Sequence, residues 1–229
     1  MKFSWCLLAL ACCLSPLRGQ DEAEIATATT VAKAYAEATW TGDGISAAKL
    51  LRPADLESFR DQMIALSEEG DEAEQELAML LFQGLAEAIE DAESEEAVEL
   101  ILTQVGMTGA QFKRLAGAEI DSVKTLLSTF SGEQIFALYC SDWNRWTPER
   151  MQAKAVTSEL ISASPEKTAD GALLHLLLRT QPEAEADVAP YVDVYTMEKV
   201  GKDWRVHSSG WDRNYIEDLR SSLADEQEE

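Results

Sequence analysis

The side chains best suited to acid–base chemistry in this chain are its two histidines, His175 and His207. His175 lies in residues 171–179, an apolar segment that predicts a central strand buried on both faces, and shares its strand face with Leu177 and Arg179. Because histidine titrates near neutral pH, His175 could act as a general base inside a pocket. The alternative is a half-buried histidine whose ring is hydrogen-bonded to a carboxylate or to the backbone. The sequence therefore assigns no catalytic residue.

No metal ion or cofactor is predicted. A zinc site needs three or four ligands from histidine, cysteine or carboxylate side chains. His175, His207 and Cys140 show no paired spacing on a helix or in a Cys-x-x-Cys motif. The chain also contains no calcium-binding loop, no phosphate-binding glycine loop, no His-Glu-x-x-His and no nucleophile elbow.

The densest group of aromatic residues begins at Phe136 and continues with Tyr139, Trp143 and Trp146, at helical spacing. These rings could line a hydrophobic pocket or form a docking surface for another protein. The alternative is a helix whose aromatic face packs into the core. Since this helix directly precedes the predicted sheet, we expect its aromatic face to meet the strand that carries His175. If there is a ligand site, we expect Tyr139, Trp143, Trp146 and His175 to form it.

The elements that would position these residues fall into two halves. Apolar residues recur at helical spacing, with capping residues at the ends, in residues 24–39, 53–66, 94–105 and 133–144. Strand patterns follow in residues 153–163, 171–179, 191–200 and 204–208, with turns at 165–171 and 201–203 and a solvated loop at 181–189. The residues expected in the core of the sheet are Leu174, Leu176, Leu178, Val194 and Val206. Helices followed by an antiparallel sheet of three to four strands make an α+β domain.

Composition and charge exclude several classes of function. The chain has 229 residues, 42 acidic against 19 basic, and a formal net charge of −23. Such a surface repels phosphate groups, so nucleic acid and anionic membranes are poor partners. After the N-terminus no apolar run reaches the roughly 18 residues that a membrane span needs. The hydrophobic content of 46% is that of a globular protein.

Residues 1–19 have the pattern of a secretory signal peptide. A basic start and a short apolar run are followed by a polar break that ends at Gly19, our expected cleavage position. We therefore expect a periplasmic or secreted bacterial protein that retains only Cys140 and forms no internal disulfide. The alternative is a lipoprotein anchored through Cys12 or Cys13.

Three segments together resemble the nuclear transport factor 2-like (NTF2-like) superfamily, which includes ketosteroid isomerase and polyketide-cyclase-like proteins. They are VAKAYAEATWTGDGISAAKLLRP, GALLHLLLRT and VDVYTMEKVGKDWRVHSS. The resemblance covers residues 27–52 and 131–209 and is closest to uncharacterised exported bacterial members. It implies a cystatin-like cone, in which a curved sheet surrounds helices and its mouth can hold an apolar ligand. Residues 54–130 would then be a helical insertion in a single domain, 20–224, followed by an acidic tail, 225–229.

From these observations we expect an exported, non-catalytic binding or interaction module, present as a monomer or homodimer. Its partner would be an unknown protein or a small apolar ligand. One alternative is a small cone-fold isomerase or hydrolase that uses His175 as its acid or base, since such enzymes need a titratable group held in an apolar site. Another alternative is a structural domain without a ligand.

Overall fold

The computed structural model describes residues 18–66, 85–86, 89–116, 123–146, 155–168, 171–183 and 189–208. Helices come first within these residues: α1 (Arg18–Trp40), α2 (Gly44–Ala48), α3 (Pro53–Leu66), α4 (Glu95–Gln104), α5 (Gly109–Ala116), α6 (Val123–Ser128) and α7 (Gly132–Trp146). The strands follow: β1 (Ala155–Thr168), β2 (Gly171–Glu183), β3 (Tyr191–Val200) and β4 (Asp203–Val206). This order confirms the predicted α+β fold.

The helix starts are fixed by side chains close by in the sequence. Ser94 caps α4 by accepting a hydrogen bond of 3.1 Å from the backbone N–H three residues later. Before α5, the N–H of Thr108 donates to the side chain of Gln111 at 2.9 Å, and the N–H of Gln111 donates back to the Thr108 hydroxyl at 3.2 Å. Ser131 and Gln134 form the same reciprocal pair before α7, at 3.1 and 3.2 Å.

The four strands form one antiparallel sheet in the order β1-β2-β3-β4. The predicted turn at residues 165–171 is too long, because β1 continues through Pro165 to Thr168, which pairs with Gly171. A proline is tolerated there since β1 is the last strand in the order, and an edge strand can turn a residue without an N–H away from its neighbour. Residues 181–183 also belong to β2 and not to the predicted loop.

The other edge of the sheet is occupied by the chain itself. Leu51 forms a parallel bridge with Val206 of β4. The N–H of Val206 donates to the carbonyl of Leu50 at 2.9 Å, and the N–H of Arg52 donates to the carbonyl of Val206 at 3.1 Å. The segment between α2 and α3 therefore covers β4 and ties the helical half to the sheet.

Helix α1 covers the inner face of the sheet and runs antiparallel to β3. The ring centroids of Tyr35 and Tyr195 are 6.1 Å apart, and those of Trp40 and Tyr191 are 4.8 Å apart. Small residues let the helix approach the strands closely, and three of them are completely buried: Ala28, Ala32 and Ala36.

The predicted core of the sheet is correct at four of five positions. Leu174, Leu176, Leu178 and Val206 are each at most 5% exposed. Val194 was predicted to be buried, and this is wrong, because it is 65% exposed. Strand side chains alternate between faces, and the pairing of β3 with β2 places Val194 opposite residue 177 on the outer side.

Helix α7 packs chiefly on α2 and α3 rather than on the sheet, contrary to the sequence-based expectation. The rings of Phe136 and Tyr139 lie 5.9 and 5.5 Å from the ring of Phe59 in α3. A Cβ atom added at Gly44 of α2 would lie only 2.7 Å from the Cα atom of Ala137, so this glycine permits the close approach of α2 and α7. Helix α1 already covers the inner face of the sheet, and α7 therefore lies behind the other helices.

Candidate functional site

The outer face of the sheet, opposite α1, carries apolar side chains. Leu177 of β2 and Val194 of β3 are direct partners across the strands, and Val192 lies two residues from Val194 on the same face. Val194 is 65% and Val192 is 56% exposed. We call Leu177, Val192 and Val194 the outer apolar patch. Ile161, at an irregularity in the neighbouring strand β1, is also 51% exposed.

His175 lies on this outer face, next to the outer apolar patch. Its Nε2 atom is 2.7 Å from a carboxylate oxygen of Glu166, and its Nδ1 atom is 3.2 Å from the hydroxyl of Thr196. The His175 side chain is 31% exposed and that of Glu166 is 57% exposed. Both ring nitrogens are therefore engaged in an open environment, as in the hydrogen-bonded alternative given by the sequence.

The structure does not bring His175 together with Tyr139. Tyr139 is 2% exposed and packs among the helices, while His175 faces away from them on the other side of the sheet. The backbones of Trp143 and Trp146 belong to the last turns of α7, and their side chains lie outside the described part of the structure. A binding role for these residues stays a prediction.

Sequence reasoning missed a partly buried ionic cluster at the start of α3. The carboxylate of Asp55, whose side chain is 9% exposed, accepts a hydrogen bond of 3.0 Å from Nε of Arg52. It also accepts one of 3.0 Å from the N–H of Ser208 and lies 3.1 Å from Nδ1 of His207. The Arg52 guanidinium reaches on to Glu198 of β3. The cluster thus joins the start of α3 to β3 and to the end of β4.

The charges of this cluster stabilise one another. Burial by itself raises the pKa of Asp55, but the hydrogen bonds from Arg52, His207 and the Ser208 N–H outweigh it and lower that pKa overall. The hydrogen bond to Asp55 raises the pKa of Arg52 in turn. A histidine whose imidazole is hydrogen-bonded to a carboxylate can also act as a general base. Here Arg52 and the Ser208 N–H bind the same carboxylate, which favours a structural role.

A polar groove of about 350 Å³ opens beside β1 and β2. Its lining residues are Thr157, Ser158, Glu159, Arg179 and Gln181. Glu159 and Arg179 are direct partners across the two strands. These five residues all carry polar or charged side chains, whereas small-molecule sites are lined mainly by hydrophobic and aromatic residues.

Metal binding and membrane spanning find no support in the part of the chain that the structure describes. No three His, Cys, Asp or Glu side chains there are grouped so that they could hold a metal ion. Among the same residues, no helix has the length and apolar character needed to cross a membrane. Comparisons with protein-family models, with curated proteins and with solved structures found no match.

Proposed function

We propose that this protein is an exported, non-catalytic interaction module that binds another polypeptide through the outer apolar patch. The observation that carries the proposal is the exposure of Val194 and Val192, 65% and 56%, on the outer face of the central strand β3. When only one face of an antiparallel sheet is covered, the other face is normally polar. Adjacent exposed aliphatic side chains on such a face are typical of an interaction surface.

The surroundings of His175 support a non-catalytic function over a cone-fold isomerase or hydrolase. Its two ring nitrogens are taken up by Glu166 and Thr196, and the ring lies on the outer face rather than inside the fold. An acid–base enzyme of this kind would need a group held in an apolar site. A purely structural domain would leave the exposed outer apolar patch without a role.

We also propose membership of the NTF2-like superfamily. This is supported by the order of α1, a Gly-Asp turn and α2, and by the four antiparallel strands that follow the helices.

The proposed export rests on residues 1–19, most of which lie outside the described residues. The intact mass of the protein secreted by a bacterial host tests it, since a mass that includes Met1 refutes cleavage and a lipid on Cys12 or Cys13 refutes the unanchored form.

The interaction is tested with Val194→Lys and the matched control Val200→Lys. Val200 lies in the same strand and is 40% exposed. Six residues of strand separate it from Val194 by about 20 Å. Proteins captured from a periplasmic extract by the immobilised wild type would be identified, purified and titrated calorimetrically against all three forms. We expect Val194→Lys to weaken binding at least about tenfold and Val200→Lys to leave it unchanged. Equal binding to all three forms would place the interaction elsewhere.

A further inference from the structure

We infer that the polypeptide bound by the outer apolar patch ends there, with its C-terminal carboxylate bound to the guanidinium of Arg179. This inference rests on the proposed function and names the chemistry of the segment that the partner presents. It follows from the strand register, from the charges of the outer face and from the polar groove beside β1 and β2.

Arg179 places a positive charge at one corner of the outer face. It is exposed, and within the described residues its guanidinium forms no hydrogen bond or ion pair. Arg205, on the same face, instead donates to the carbonyl of Lys49. Glu159 is the direct partner of Arg179 on β1, but the two side chains line the polar groove of about 350 Å³ rather than bonding to each other. The groove therefore offers an unused cation to a bound anionic group.

The outer apolar patch begins next to this cation. Val192 is the direct partner of Arg179 on β3, and Leu177 precedes it by two residues on the same face of β2. Directly opposite Cβ atoms lie about 5 Å apart, and two residues along a strand span roughly 6.6 Å. Val194 is the diagonal neighbour of Arg179, about 7–8 Å away. One or two side chains of a bound polypeptide thus cover the patch when the adjoining carboxylate lies on Arg179.

A chain terminus fits this corner better than a continuing chain. The pairing of β2 with β3 stops at Thr180 and Tyr191, so beyond Arg179 only β1 and β2 are paired. A polypeptide that crosses the patch and reaches Arg179 has come to the end of the three-stranded surface. A terminal residue also has a backbone N–H next to its carboxylate, and the carboxylate of Glu159 can accept a hydrogen bond from it.

The charge of the whole chain favours a single carboxylate over an acidic segment. The formal net charge is −23, and Glu159 adds a negative charge to the groove itself. Segments with several aspartate or glutamate residues are therefore repelled at long range. One carboxylate on Arg179 forms two parallel hydrogen bonds with the guanidinium, which strengthen when the bound chain excludes water. The occupant is accordingly an apolar segment that ends in a free carboxylate.

Peptide binding to the purified secreted protein tests the inference. The probes are fluorescein-labelled hexapeptides that end in combinations of valine, leucine, isoleucine and phenylalanine, each made with a free C-terminal carboxylate and with a C-terminal amide. Fluorescence anisotropy gives the dissociation constants. We expect the best carboxylate peptides to bind at about 10–100 µM and their amides at least about tenfold more weakly. Equal binding of the two forms overturns the inference, as does the failure of every peptide to bind at about 1 mM.

Substitution of two exposed arginines assigns the carboxylate to its site. Arg179→Gln should bind the carboxylate and amide forms equally, because the charge that distinguishes them is gone. Arg114→Gln, a control in α5 with the same loss of charge, should keep the preference of the wild type. A preference that persists in Arg179→Gln overturns the inference.

A third form of the peptide separates a chain terminus from an acidic side chain. An amidated peptide whose last residue is aspartate supplies a carboxylate without a free terminus. We expect it to bind as weakly as the other amides. If it binds as tightly as the free-carboxylate peptides, the assignment to a terminus is refuted.

Val194→Gln distinguishes a failure of this inference from a failure of the proposed function. It should weaken the carboxylate peptides at least about tenfold, and Val200→Gln should leave them unchanged. If capture of a partner protein depends on Val194 but no peptide prefers a free carboxylate, only the inference fails. If neither a captured protein nor a peptide depends on Val194, the proposed function fails, even where a carboxylate preference at Arg179 remains.

Discussion

Asp55 connects parts of the chain that are far apart in sequence, and its replacement by asparagine tests the structural role of the ionic cluster. Its carboxylate is held by Arg52, by His207 and by the N–H of Ser208. Asparagine has almost the same size, but it lacks the charge and presents an NH₂ group to neighbours that are themselves donors. The substitution Asp55→Asn therefore removes favourable contacts without opening a cavity.

The expected loss of stability follows from the number and exposure of these contacts. A hydrogen bond to a charged group contributes about 1.5–3 kcal/mol. Arg52 keeps Glu198 as a partner, and the side chains of Arg52 and His207 are 21% and 23% exposed, so water partly replaces the lost carboxylate. We expect Asp55→Asn to lower the free energy of unfolding by about 2–3 kcal/mol. For a chain of this size, that corresponds to a decrease in Tm of about 4–12 °C.

Urea unfolding at neutral pH measures this loss, with Asp61→Asn as the matched control. Asp61 lies in the same helix, α3, but is exposed and far from its first turn. The control should change the free energy of unfolding by less than about 0.5 kcal/mol. If Asp55→Asn and Asp61→Asn unfold at the same urea concentration, the ionic cluster does not stabilise the fold and the reasoning is refuted.

The pH dependence provides a second check. The pKa of Asp55 is lowered in the folded protein, despite burial, by Arg52, His207 and the Ser208 N–H. A carboxyl group of this kind stabilises the fold fully above its unfolded pKa of about 3.9 and loses that contribution as the pH falls through the folded-state value. The difference between wild type and Asp55→Asn should be fully present at about pH 5 and should narrow below about pH 4.

Two further predictions concern packing. Leu176→Asp should lower the free energy of unfolding by several kcal/mol, about 3 or more, because Leu176 is completely buried, whereas Leu100→Asp, at a position 60% exposed, should have little effect in the same urea assay. Gly44→Ala should lower Tm, because its Cβ atom would lie 2.7 Å from the Ala137 backbone. The control Gly109→Ala, whose Cβ atom would have no other atom within 4 Å, should leave Tm unchanged or raise it. Equal Tm values for the two variants would contradict the close packing of α2 and α7.

The helices were predictable because their signals are local. Ser94 begins α4 through a contact only three residues long, and Gly106 follows its end with a φ of +66°, a conformation that glycine adopts without strain. The sequence likewise predicted that Leu174, Leu176 and Leu178 of β2 lie in the core, but its expectation that both faces of this strand are buried was wrong, because Leu177 on the other face is only half-buried and Arg179 is exposed. Each of these signals operates within one element, so the sequence alone was sufficient.

The candidate functional surface depended on contacts between elements. The exposure of Val194 follows from how β3 pairs with β2, and the apolar sequence of β3 is compatible with burial of either face. Helix α1 covers the inner face of the sheet, and α7 packs on α2 and α3 instead. Because α7 directly precedes β1 in sequence, we expected it on the sheet, but α1, which lies much earlier in the chain, occupies the inner face of the sheet.

By itself the sequence determined the α+β class, the starts of α3, α4 and α7 to within one residue, and the core residues of β2, because each depends on residues within one turn or one strand. Only the tertiary structure decided which apolar residues remain in contact with water and which charges meet. Asp55 and His207 are 152 residues apart, and no local pattern links them. Folding brings them together because Leu51 pairs with Val206 and so places the start of α3 beside the end of β4.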